Sequence, residues 1–221
     1  MHLTWRSCQG WRRRTNNDAM AYARKQDVLL CILVDAAEKS SDSSSFARYW
    51  AETVIRALSS APCIDPDAAV LEAIKKEHQH LRENFLHEVA SYALLTLDAN
   101  SGAARAFYVG DCLIGHDTDT GPEWWYQPDT LDIAYGRNSE GNRHILTRSL
   151  KARRHTTPQL VTRNVASGDT LILATDGYWA ECLSEGGTFG ASQDDASCLT
   201  VKVGEWGFTS SSRSNNSFCM D

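Results

Sequence analysis

Several stretches of this chain are too continuously apolar to lie on a solvated face, and that limits the fold to one with stacked layers. Five segments read as strands from their β-branched and apolar content: 28–34, 92–97, 104–109, 169–175 and 198–203. Between the first and second lie two stretches with helical periodicity. One covers about 44–59, with Phe46, Trp50, Val54, Ile55 and Leu58 on one face; the other covers about 66–87, with Val70, Ile74, Leu81 and Phe85. Asp65 followed by Pro66 suits a helix cap and a first-turn proline. The turn-rich Asp98-Ala99-Asn100-Ser101-Gly102 predicts an antiparallel hairpin from the second and third strands. A further short helix is expected just after Asp176-Gly177. This order does not alternate as a parallel βαβ fold would, and it predicts a layered α+β domain with helices over stacked antiparallel sheets.

Residues 115–144 are rich in Gly, Asp, Thr and Asn and are expected to form a surface flap or variable edge. Within them Trp124-Trp125-Tyr126 fits an edge strand or core better than a substrate-facing platform. The Ser- and Asn-rich residues 209–221, around Arg213, are expected to be a disordered tail after a domain spanning 1–208.

A length of 221 residues suits one domain, and a formal net charge of −6 argues against general affinity for nucleic acid or an anionic membrane surface. An acidic balance suits a divalent cation instead. The first residues show no apolar signal core, no stretch approaches a membrane span, and the seven scattered cysteines read as buried reduced thiols. A cytoplasmic protein is expected.

Four aspartates close apolar runs or open the next element: Asp35 after Val34, Asp111 after Gly110, Asp176 after Thr175, and Asp194 shortly before Cys198; Asp18 adds a fifth. Carboxylates at strand ends can converge on one rim of a sandwich, where their repulsion is best relieved by a hard divalent cation. Taken singly, each reads better as an ordinary turn or cap residue. The histidines show no metal-ligand spacing, His78 and His80 reading as solvated helix surface. Nucleophile-elbow, phosphate-loop and Cys-x-x-Cys motifs are absent from the sequence.

In chain order the local wording is Arg13-x-x-Asn16-Asn17-Asp18-Ala19, Val34-Asp35-Ala36-Ala37, Val109-Gly110-Asp111, Ala174-Thr175-Asp176-Gly177-Tyr178-Trp179 and Asp194-Asp195-Ala196-Ser197. This series resembles the ordered motifs of the PPM (type 2C) metal-dependent serine/threonine protein phosphatases over about residues 6–203. Residues 145–150 are similar to the family's segment before its fourth motif. The resemblance implies a four-layer αββα sandwich. It implies two Mg²⁺ or Mn²⁺ ions bridged by Asp35 and held by Asp176 and Asp194, with Asp18 and Asp111 supporting a weaker third ion or bound waters. Ala36 stands where the family offers a glycine carbonyl to metal, and Arg13 where it keeps a phosphate-binding arginine. The implied reaction is attack of a metal-activated water on a phosphoserine or phosphothreonine of a protein substrate in a kinase pathway.

The sequence departs from that pattern after Asp35, where Ala36-Ala37-Glu38-Lys39-Ser40 lacks glycine, and at Ala180, where an acid is usual. Those departures motivate the alternative of a catalytically weak or inactive pseudophosphatase acting as a regulatory binding module. A nucleic-acid binder using Arg12-Arg13-Arg14 and Lys151-Ala152-Arg153-Arg154 is the third reading.

Overall fold

The longest apolar runs owe their character to burial on both faces. In the computed structural model, which describes residues 1–61, 66–136, 142–212 and 215–220, β3 (Val28–Ala36) lies between two cores. Leu30, Ile32 and Val34 point into a helix-side core, while Leu29, Cys31 and Leu33 point into the space between two sheets. β4 (Val89–Asp98) repeats the division, Tyr92 and Leu94 on the helix side and Ala93, Leu95 and Leu97 on the other. Successive strand residues face opposite ways, so a strand covered twice is apolar throughout.

These strands belong to the second of two sheets. It runs β13 (Ser217–Met220), β2 (Asp18–Lys25), β3, β4, β5 (Ala103–Val109), β9 (Gln159–Asn164), with β8 (Leu150–Lys151) also paired to β4. The first sheet runs β12 (Gly207–Ser210), β1 (His2–Cys8), β11 (Ala196–Lys202), β10 (Thr170–Ala174), β6 (Leu113–Thr118), β7 (Gly121–Trp124). Within each sheet the pairing is antiparallel except at the strand added by the C-terminal segment, β12 on β1 and β13 on β2. The expected hairpin across residues 98–102 is β4–β5.

α1 (Ser43–Ser60) packs on β2 and β3, and α2 (Pro66–Asn84) packs on α1. Phe46, Trp50, Val54, Ile55 and Leu58 are all buried, as their spacing predicts. The cap expected at Asp65 lies outside the described residues. The helix expected after Asp176-Gly177 is a π-helical segment, Gly177–Ser184, against β11. No helix among the described residues is long and apolar enough to cross a membrane.

Two expectations change. Residues 209–212 and 215–220 are not a disordered tail, because their strands satisfy backbone groups of both sheets and seat Asn216 in a buried slot. Composition hid this, since short edge strands need little apolar content. His78 is buried rather than solvated: four residues after Ile74 and three before Leu81, it lies on the inward stripe of α2. Its Nε2 sits 2.8 Å from the carbonyl of Lys151. The aromatic group at 124–126 has the edge-strand and core role that its sequence suggested. Trp125 is buried and donates to His116 Nδ1 at 2.9 Å, and Tyr126 stacks on Tyr108 with centroids 3.6 Å apart. Tyr126 also donates its hydroxyl to the carbonyl of Cys112 at 3.0 Å. Tyr126→Phe is expected to cost about 1 kcal/mol, read as a fall of ~2–4 °C in melting temperature.

The cysteine reading holds for Cys31, Cys112, Cys182 and Cys198, which are buried free thiols, but not for Cys8, half-buried, or Cys219, exposed. Cys63 lies outside the described residues.

Candidate functional site

The acidic site forms where the apolar filling between the sheets ends. Asp18 on β2 is the direct cross-strand partner of Asp35 on β3, and Asp35 in turn faces Ser91 on β4. Cross-strand partners share a face, and this row has the parity of Met20, Leu33 and Ala93, which point between the sheets. Asp111 follows β5 and accepts the hydroxyl hydrogen of Ser91. Gly110, at φ +96°, makes that approach possible, since a Cβ there would lie 2.5 Å from Ser91 Oγ. The Gly110 N–H is held by Asp129 Oδ2 at 3.1 Å. From the first sheet, Asp176 follows β10 and the pair Asp194-Asp195 precedes β11.

A cleft of about 430 Å³ opens at this end, its wall including Arg13, Asp35, Asp111, Asp176 and Asp194. Ala36 also lines it. Asp18 lies behind, buried at 1% exposure. Thr175 Oγ1 donates to its Oδ2 at 3.1 Å, while its Oδ1 is buried with no hydrogen-bond partner.

Burial, with repulsion from the neighbouring carboxylates, dominates the electrostatics. Asp35 is pushed well above the usual carboxylate range, first by desolvation and then by Asp18, Asp176, Asp111 and Asp194. Asp18 is raised by desolvation and by Asp195, Asp194 and Asp176, against an opposing hydrogen bond from the Ser197 side chain. Asp111 is pushed up to about 7 by desolvation and Asp176, against the opposing hydrogen bond from Ser91. Asp195, raised to about 6 by desolvation, accepts the N–H groups of Gly10 at 2.9 Å and Asn17 at 2.7 Å.

Arg13 and Asp194 occupy each other. The Arg13 Nε reaches Asp194 Oδ1 at 2.5 Å and its NH2 reaches Oδ2, a bidentate pair; Glu38 stands 3.6 Å from NH1. Asp194 holds the guanidinium pKa above its ordinary value. With Asp194 turned to Arg13, the carboxylates share a cleft without closing on one point. Among the described residues no three of His, Cys, Asp or Glu form a ready ligand set.

Similarity is to solved structures, for no family model and no curated protein matches the chain. The serine/threonine phosphatase Stp1 from Staphylococcus aureus superposes with a TM-score of 0.78 at 14% identity, over 92% of this chain and 95% of that one. The catalytic domain of the phosphatase PstP, solved with two manganese ions, superposes at 0.72 with 17% identity, over 92% and 98%. PppA of Pseudomonas aeruginosa, described as a key regulatory component of T6SS, superposes at 0.75 with 15% identity, over 91% and 97%. This chain has the fold of the PPM-type serine/threonine phosphatases.

Within the PPM fold the donor set here fits a hard divalent cation: oxygen ligands only, several carboxylates in mutual repulsion, and one buried oxygen, Asp18 Oδ1, left without a partner. Ala36 is part of β3, and among the described residues Gln26 alone of the non-glycines has positive φ. Position 36 therefore requires no glycine conformation.

Residues that sequence reasoning passed over also line or support this cleft. Ser91 and Asp129 lie outside the motifs and act through Asp111 and Gly110. His144 Nδ1 lies 3.7 Å from Asp176 Oδ2, and Glu181 lines the cleft while accepting the Gln193 N–H at 2.6 Å. Asp195 is visible in the sequence only as the neighbour of Asp194.

Proposed function

We propose that the chain is a Mg²⁺- or Mn²⁺-dependent protein phosphatase that hydrolyses phosphoserine and phosphothreonine. The observation that carries this reading is the gathering of aspartates from both sheets into one cleft of the PPM fold. Asp35, Asp176 and Asp194, with the Ala36 carbonyl, would hold two ions, and Asp18 and Asp111 would support a weaker third. Metal held there would supply an activated water at neutral pH and neutralise charge on the phosphoryl oxygens.

Arg13 brings a guanidinium to the same wall, in geometry suited to a bidentate grip on phosphoryl oxygens once it exchanges Asp194 for substrate. Asp129 and Ser91 hold Asp111 in place. The domain assigned to this activity takes in residues 1–208 together with the C-terminal strands that pair with both sheets; its partner is a phosphorylated protein from a serine/threonine kinase pathway, its compartment the cytoplasm. The net charge of −6 gives no support to a nucleic-acid partner.

A second reading, a weak or inactive phosphatase acting as a regulatory binding module, draws on the bidentate Arg13–Asp194 pair, which engages both a proposed ligand and the proposed phosphate grip. Hydrolysis of a chromogenic aryl phosphate separates the two. Turnover should appear on adding Mn²⁺ and fall at least ~10²-fold in Asp176→Asn. Wild-type turnover no greater than that of the variant would reject catalysis and leave the binding module.

A further inference from the structure

The C-terminal segment puts one strand on each sheet, and between those strands it inserts Asn216, 4% exposed, into the slot between β1 and β2. Its Nδ2 donates to Ser7 Oγ at 2.8 Å on β1 and to the main-chain carbonyl of Asp18 at 3.0 Å on β2. Its Oδ1 accepts from Trp5 Nε1 at 3.2 Å and Ser212 Oγ at 2.9 Å. Its main-chain carbonyl accepts the N–H of Met20 at 2.9 Å. Two amide donors and two carbonyl lone pairs are the whole capacity of this side chain, and all are used.

The network continues to the acidic site. Ser7 Oγ also receives Asn16 Nδ2 at 2.8 Å, so with both lone pairs filled it donates its own hydrogen to Ser197 Oγ at 2.7 Å. The Ser197 N–H donates at 3.0 Å to Thr175 Oγ1, which donates to Asp18 Oδ2. Asn16 Oδ1 accepts the Asp18 N–H at 3.0 Å. Asp18 is thus gripped at its N–H, its carbonyl and one carboxylate oxygen. The other oxygen, Oδ1, is left unpartnered.

We propose that Asn216 is a positioning residue for the acidic site: it fixes Asp18 so that Oδ1 is presented to a bound cation, and the C-terminal segment is a working part of the centre. This rests on reading Asp18 as a carboxylate that supports metal. Two sheets that can slide at β1–β2 would leave that oxygen free to wander. An amide spanning both strands removes this freedom, and loss of such outer partners typically weakens metal binding about 10–100-fold.

The experiment titrates Mn²⁺ into the full chain and follows thermal unfolding, with aryl-phosphate turnover measured in parallel. Asn216→Ala should raise the Mn²⁺ concentration for half-maximal stabilisation about tenfold. Its turnover should be low at limiting Mn²⁺ and recover at saturation. Phe218→Ala, which loosens β13 by removing a partly buried ring without touching the amide, should lower the metal-free melting temperature and leave the Mn²⁺ midpoint in place. Should Asn216→Ala not fold, Asn216→Ser, which keeps one donor, carries the same comparison. A wild-type midpoint shared by the Asn216 variant overturns the positioning role while the phosphatase reading stands. A wild type that does not respond to Mn²⁺ at all overturns both.

Discussion

Replacing Asp35 by asparagine is expected to abolish metal-dependent turnover and, at neutral pH without metal, to make the protein more stable. The first effect, a loss of at least ~10²–10³-fold, follows from removing the carboxylate that stands among Asp18, Asp111, Asp176 and Asp194. The second follows from the sign of the titration. Asp35 has a folded pKa well above the unfolded carboxylate value of about 3.9, so the folded state holds its proton more tightly than the unfolded chain. Stability from this group is fully present below the unfolded value and is lost as pH rises toward the folded one. Asp111, pushed up to about 7, adds a window of its own that ends near neutrality.

Asparagine cannot ionise, and it also relieves its neighbours. In EDTA the melting temperature of Asp35→Asn should match wild type near pH 3, below the unfolded carboxylate value, and exceed it by a few degrees at pH 7.5. Mn²⁺ reverses the order. At 100 times its dissociation constant a ligand stabilises by about 2.7 kcal/mol, or ~5–10 °C for a domain of this size, and the variant should gain none of it. Melting curves with EDTA and with Mn²⁺, at both pH values, check the whole pattern. A variant less stable than wild type in EDTA at pH 7.5 would contradict the repulsion argument.

Trp50→Ala should be the most damaging change away from the cleft, at about 3–5 kcal/mol. Trp50 is fully buried on α1, its ring 5.7 Å from that of Tyr92. Tyr92 pairs directly with Val34, the residue before Asp35, so a cavity here lies under the strand that carries the site. Trp50 Nε1 is buried without a hydrogen-bond partner. Trp50→Phe discards that N–H and keeps most of the apolar volume, so it should cost less than about 1.5 kcal/mol. Urea unfolding of the three proteins gives the comparison, and a phenylalanine variant as unstable as the alanine one would show that the indole N–H has a partner after all.

The two-faced burial of β3 and β4 was readable in the chain because periodicity records which positions meet water. Gly110, Ser91 and Asp129 were not, because each matters through a residue distant in sequence. Gly110 serves a serine on the neighbouring strand, and Asp129 serves the backbone N–H of Gly110. His78 was misread as solvated because helical spacing from Ile74 and Leu81 counts only once the apolar stripe is known to extend past a polar residue. The C-terminal strands were hidden for a related reason: an edge strand gains its stability from backbone pairing to a partner already in place, and composition does not record that partner.

Local chemistry was enough to place an aspartate at each of several strand ends and to put the helices on one side of a sheet, since propensity and periodicity are properties of neighbouring residues. Bringing Asp18 and Asp35 into register, turning Arg13 onto Asp194 and threading Asn216 between two sheets required the packed molecule, because geometry among residues so far apart in sequence, up to 198 positions, exists only after the layers have stacked.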